Sequence, residues 1–116
     1  MNGGVSIHVV DIASGRVAQG LELTLQRLDG ECLLHGQIDE RGLLPGLERL
    51  AECLGSGVYE VRLKVADFYR QAGTTLPDTP FLDELIYRFG IGDARQHYHL
   101  PFKLTAWGVS CFRGGA

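Results

Sequence analysis

Cysteine is scarce in this chain, with three among 116 residues. Three thiols cannot all pair, so no disulfide scaffold is expected and a reducing, cytoplasmic setting is. Positive charge is also short. Eleven Lys and Arg face fourteen Asp and Glu, a net of −3. There is no basic surplus to neutralise phosphates, so nucleic acid is not an expected partner. No apolar run approaches the ~18–20 residues that span a bilayer, and no membrane partner is expected. The opening Met1-Asn2-Gly3-Gly4 carries no basic stretch, so no secretory signal is expected. No Gly-x-Gly-x-x-Gly loop is present to cradle a nucleotide. The length suits one domain, residues 1–116, able to bury its own core.

What the chain does have is alternation. Val5, Ile7 and Val9 alternate with Ser6 and His8. Leu21, Leu23 and Leu25 alternate with Glu22, Thr24 and Gln26. Asp29-Gly30 supplies a turn, and Cys32 to Ile38 reads as the hairpin partner. Tyr59, Val61, Leu63 and Val65 alternate with Glu60, Arg62 and Lys64. Leu85, Tyr87, Phe89 and Ile91 alternate with Ile86 and Arg88. Each is the period-two signature of a strand with one buried face. Val65 to Ala72 breaks the rhythm and ends at Gly73, which predicts one short helix. Glu40 to Gly57 and Thr74 to Pro80 read as connections. About eight short strands at this spacing predict an all-β, antiparallel β-sandwich.

Four histidines are present: His8, His35, His97 and His99. In an extended strand, side chains two apart share a face. Tyr98, Leu100, Phe102 and Leu104 then form an apolar face, and His97, His99 and Lys103 point the other way. By the same rule His8 faces away from the core. Periodicity does not show whether the two strands are neighbours. His97-x-His99 has chelating spacing, but no carboxylate or Cys-x-x-Cys signature accompanies it, so no metal is expected. His35 has no partner nameable from sequence and reads as structural, and His97 reads as structural or as a support to its neighbour. Cys111 stands out among the cysteines only by its place near the tail. Trp107 and Phe102 read as packing or interface residues. Arg16, Arg27, Arg49, Arg62 and Arg70 read as solvated surface charges.

Three ordered motifs carry a resemblance. The opening Ser6-Ile7-His8-Val9-Val10-Asp11-Ile12-Ala13-Ser14-Gly15-Arg16 resembles the N-terminal signature of the transthyretin-like family, specifically its 5-hydroxyisourate hydrolases. His97-Tyr98-His99-Leu100-Pro101-Phe102 resembles the family's second motif. Trp107-Gly108-Val109-Ser110-Cys111-Phe112-Arg113-Gly114-Gly115 resembles its closing motif, usually Tyr-Arg-Gly-Ser. The resemblance covers essentially the whole chain. It implies a transthyretin-like sandwich of eight strands in two sheets with one short helix. It also implies a homotetramer, a dimer of dimers, whose sites lie at subunit interfaces in a central channel. The implied reaction is cofactor-free hydrolysis of 5-hydroxyisourate, a small purine-derived substrate of urate breakdown. His8 and His99 would be the catalytic proton-transfer pair, since imidazoles titrate near neutrality. Arg113 would organise the site or bind substrate.

The sequence also departs from the family pattern. The loop after the third predicted strand usually reads Asp-Gly-Arg with a catalytic arginine. Here it reads Asp39-Glu40-Arg41-Gly42-Leu43, which puts Leu43 where the arginine belongs. Arg41, two residues earlier, is the candidate replacement for binding substrate. Phe112 stands for tyrosine, Gly115 stands for serine, and Ala116 extends the tail. One lost oxyanion donor costs ~3–4 kcal/mol of transition-state stabilisation. Weakened or altered hydrolysis is therefore expected, and the alternative is a non-catalytic, ligand-binding tetramer on the same scaffold.

Overall fold

Six of the eight strands in the computed structural model, which describes residues 1–115, fall on the segments read as strands, and two short ones, at Arg16–Val17 and Gly108–Ser110, complete the set. Ala116, the extra tail residue, lies outside the described residues. The strands are β1 (Val5–Asp11), β2 (Arg16–Val17), β3 (Glu22–Arg27), β4 (Cys32–Gln37), β5 (Gly57–Leu63), β6 (Leu85–Ile91), β7 (Tyr98–Thr105) and β8 (Gly108–Ser110). They make two four-stranded sheets, in the orders β2-β1-β7-β8 and β4-β3-β5-β6. The inner faces meet in one apolar core. Ile7, Val9, Leu21, Leu25, Val61, Leu63, Phe102 and Leu104 are fully buried there.

One ladder departs from the antiparallel rule. β1 runs parallel to β7, with Ser6 opposite His99 and His8 opposite Pro101. A parallel pair needs a long connection between its strands, and here the whole second sheet lies between them in the chain. The register is pinned by burial. Ile7, Val9, Leu100 and Phe102 are each no more than 2% exposed, and each contributes roughly 1.5–3 kcal/mol by leaving water. A one-residue slip of either strand would expose its apolar row and bury its histidine. The core therefore fixes where the histidines stand.

The short helix α1 spans Val65–Gln71, with Val65, Ala66 and Tyr69 turned inward. It stops ahead of Gly73, which takes a φ of 93°, a left-handed conformation that ends helices. The Tyr69 hydroxyl donates to Asp11 Oδ1 at 2.7 Å, tying α1 to the end of β1. The connection from Glu40 to Gly57 contains a 3-10 helix at Leu47–Cys53, anchored by buried Leu47.

His35, read as structural, and two arginines read as solvated surface charges have partners. His35 and Glu22 are 2.9 Å apart across the β3–β4 hairpin. Arg27 donates to Glu31 Oε1 at 2.7 Å. Arg62 lies 3.6 Å from Glu84. Glu60, on the outward face of β5, is only 6% exposed. It accepts from Arg88 Nε and Nη2 at 3.1 and 2.9 Å, and from Gln26. Arg88 takes Oε2 twice and Gln26 takes Oε1, which satisfies a carboxylate that would be costly to bury alone.

Candidate active site

The parallel pairing of β1 and β7 brings His8 and His99 together. Both stand on the outward face of the β2-β1-β7-β8 sheet, diagonal to each other and two residue pairs apart along the ladder. Ser6 is directly opposite His99, on the same face. The sheet is extended at this point from both sides. Leu43 forms an antiparallel bridge to His8, and Gly114 forms one to His99. The first bridge is held by Val9 N donating to Gly42 O at 2.9 Å and Leu44 N donating to Ile7 O at 3.3 Å. The second is held by Gly114 N donating to His99 O at 2.7 Å and His99 N donating to Gly114 O at 3.1 Å.

Each imidazole has a defined setting. His8 Nε2 donates to the Arg41 carbonyl at 3.2 Å, and its ring packs on Gly42. A Cβ at Gly42 would fall 2.6 Å from that Nε2. His99 Nδ1 is 2.6 Å from Ser6 Oγ, and His97 Nε2 is 2.8 Å from the same oxygen. His97 Nδ1 donates to Gly3 O at 2.8 Å. His99 is held below its ordinary value of 6.5, first by burial, then by the positive charges His8 and His97 carry when protonated. It is therefore largely unprotonated at neutral pH and able to accept a proton.

The two arginines are placed differently. Arg41 is exposed, and its guanidinium donates to Asp39 Oδ2 at 3.1 Å. It borders an open cleft of about 470 Å³ that Ser6, Leu43, Glu48 and His97 also line. Arg113 precedes the bridged Gly114, so its side chain leaves the other face of the tail. Its guanidinium lies 4.2 Å over the Tyr98 ring and donates to Gln96 Oε1 at 3.0 Å and His97 O at 3.2 Å. The structure thus brings His8, His99 and Leu43 together, puts Arg41 at a cleft lined by Leu43, Ser6 and His97 but by neither His8 nor His99, and turns the Arg113 guanidinium toward Tyr98.

Two further tail residues bear on the site. Phe112 is exposed, and Lys103 Nζ lies 5.8 Å from its ring centroid. Burial pushes the Cys111 thiol above its ordinary value, which disfavours the thiolate a nucleophile requires. Among the described residues, no group of three or more His, Cys, Asp or Glu side chains is arranged to hold a metal ion. Sequence reasoning missed Ser6 altogether. Its only signal was membership of the outward row that also holds His8.

Two facing sheets, with an imidazole pair on the outward side of one parallel ladder, define a transthyretin-like β-sandwich. The comparisons make the assignment specific. The chain belongs to the HIUase/Transthyretin family, whose pattern matches residues 5–114. It is 39% identical to the 5-hydroxyisourate hydrolase 2 of Rhizobium meliloti (strain 1021), covering 97% of each chain. Its fold matches a Klebsiella pneumoniae 5-hydroxyisourate hydrolase structure with a TM-score of 0.79 and 28% identity, over 97% of this chain and 99% of that one. It also matches an (S)-allantoin synthase structure with a TM-score of 0.87 and 27% identity. There it covers 98% of this chain but only 44% of the other, less than half of that protein's length.

Proposed function

We propose that this chain hydrolyses 5-hydroxyisourate, opening a cyclic amide. The observation that carries the reading is the pair His8 and His99, diagonal neighbours on the outward face of β1 and β7. The names of its full-length relatives support it. In the proposed reaction, water adds to a ring carbonyl carbon and the carbon–nitrogen bond breaks. Water supplies the carboxyl oxygen, and the departing nitrogen gains a proton, leaving a ring-opened ureido product. His99, held unprotonated, takes the proton from water, and His8 returns one to the nitrogen. General acid–base catalysis of this kind contributes ~10²–10⁴-fold.

Arg41 at the cleft supplies only part of the positive charge for the developing oxyanion, because its guanidinium is shared with Asp39. Arg113 organises the site by holding the tail strand against His99. Leu43 contributes no donor, so turnover below that of an arginine-bearing relative follows. The working unit is a homotetramer of single-domain chains in the cytoplasm. Trp107 and Phe112, 61% and 54% exposed beside the edge strand β8, support assembly. Three free cysteines support a reducing compartment.

The test is a rapid-mixing ultraviolet assay in which urate oxidase generates fresh 5-hydroxyisourate. Its decay accelerates with this protein and loses that acceleration in His8→Ala and His99→Ala. A folded oligomer that leaves the decay unchanged would overturn hydrolysis in favour of non-catalytic ligand binding.

A further inference from the structure

Three short hydrogen bonds run in line from His99 to the backbone, and their donors can be counted. His97 Nδ1 is 2.8 Å from Gly3 O, a carbonyl that only accepts. That nitrogen therefore carries a proton. In a neutral imidazole the other nitrogen is then bare, so His97 Nε2 accepts at 2.8 Å from Ser6 Oγ. The hydroxyl has one proton to give, and His97 takes it. At its second contact, 2.6 Å from His99 Nδ1, Ser6 Oγ must accept. His99 Nδ1 consequently bears the ring proton. Among the described residues no hydrogen bond reaches His99 Nε2.

We propose that Ser6 and His97 are positioning residues that order this proton chain, fixing His99 as the Nδ1–H tautomer and leaving its Nε2 lone pair as the proton acceptor of the site. The backbone carbonyl of Gly3 sets the direction of the whole chain, because it cannot reverse its role. The setting strengthens the effect. All three side-chain contacts are partly buried, so a reversed proton would leave two acceptors or two donors facing each other away from bulk water. The ladder places the parts without adjustment, since Ser6 is the residue directly opposite His99 and His97 is two residues before it. The same logic operates wherever a third group fixes the tautomer of a catalytic imidazole. Here the third group is a hydroxyl backed by a second imidazole rather than a carboxylate, so it orders the proton without adding a negative charge.

The catalytic consequence rests on the hydrolytic reading above, whereas the tautomer does not. The tautomer is read directly from long-range proton–nitrogen correlation spectra of ¹⁵N-labelled protein at about pH 8, above the ordinary imidazole range. In the unmodified protein His99 is expected with a protonated Nδ1 and a bare Nε2. In Ser6→Ala it is expected to revert to the Nε2–H form that a free imidazole prefers. In Ser6→Thr, which keeps the hydroxyl on a strand, it is expected to stay Nδ1–H. His97→Phe separates the relay from the hydroxyl alone. With no acceptor beyond it, Ser6 becomes free to donate to His99 Nδ1, and the tautomer is expected to invert although Ser6 is intact.

For 5-hydroxyisourate hydrolysis, Ser6→Ala is expected to lower kcat roughly 10–100-fold with KM nearly unchanged, and Ser6→Thr to retain it. A protonated Nε2 on His99 in the unmodified protein overturns the proposal, as does an Nδ1–H tautomer that persists in both Ser6→Ala and His97→Phe. If the tautomer follows the relay and no hydrolysis is found, the relay stands and the hydrolytic reading falls.

Discussion

Leu43 stands directly across an antiparallel bridge from His8, and the two side chains share the outward face of the sheet. An apolar side chain there offers no donor to a developing oxyanion, and the nearby Arg41 guanidinium is occupied in part by Asp39. Leu43→Arg is accordingly expected to raise kcat/KM for 5-hydroxyisourate by on the order of a hundredfold, measured by rapid mixing. An unchanged value would mean that the Arg41 side chain already delivers the charge.

The pH dependence follows from His99. Its pKa is lowered from 6.5, by burial first and by His8 and His97 after that. The unfolded state binds the proton more tightly than the folded one. Stability from this group is therefore fully present above about 6.5 and lost as the pH falls through the lower folded value. A base that must be unprotonated gives activity with the same sense, so the acid limb of kcat/KM should lie below 6.5. In His8→Ala the His99 titration, followed by NMR, is expected to move up without reaching 6.5, because burial remains. A downward movement would contradict the charge contribution of His8.

Much of the fold was legible because its strands carry one buried face each. Val5, Ile7 and Val9, like Leu100, Phe102 and Leu104, announce the inner face, and His8 and His99 follow as outward residues by alternation alone. Their adjacency was not legible. The ladder that joins them is parallel and non-local, and no hairpin turn signals it. Ser6 escaped notice for a related reason: a small polar residue on an outward face looks solvated until the register sets it opposite His99. The 3-10 helix at Leu47–Cys53 has no clean period, and its anchors Leu47 and Leu54 are recognised only once buried.

Gly42 is a second control point for His8. It adopts a φ of 85°, and a Cβ there would lie 2.6 Å from His8 Nε2 and 2.7 Å from Val17 Cγ1. Gly42→Ala combines left-handed strain with an overpacked contact, together roughly 2–4 kcal/mol. The variant is expected to melt ~10 °C or more lower. It is also expected to lose hydrolytic activity, since His8 must move off its place over the loop. Wild-type melting and turnover would show that the loop shifts instead of the histidine.

Arg113 is linked to His99 through the tail. Its guanidinium is stacked over Tyr98 and donates to Gln96 and the His97 carbonyl, while the next residue, Gly114, is bridged to His99. The stack and two charge-assisted bonds fasten the tail edge-on to β7, and the backbone of His99 is thereby held from the side opposite Ser6. Removing them costs about 1–2 kcal/mol locally at an exposed site. In Arg113→Ala, hydrogen exchange at the Gly114 and His99 amides is expected to quicken roughly tenfold, since each 1.4 kcal/mol of opening energy is a factor of ten. Turnover is expected to fall with it. Arg113→Lys keeps the charge but not the planar fork, and is expected to rescue neither readout. Full activity in Arg113→Lys with fast amide exchange would separate the two, showing that charge at the tail, rather than the clamp on His99, is what the site requires.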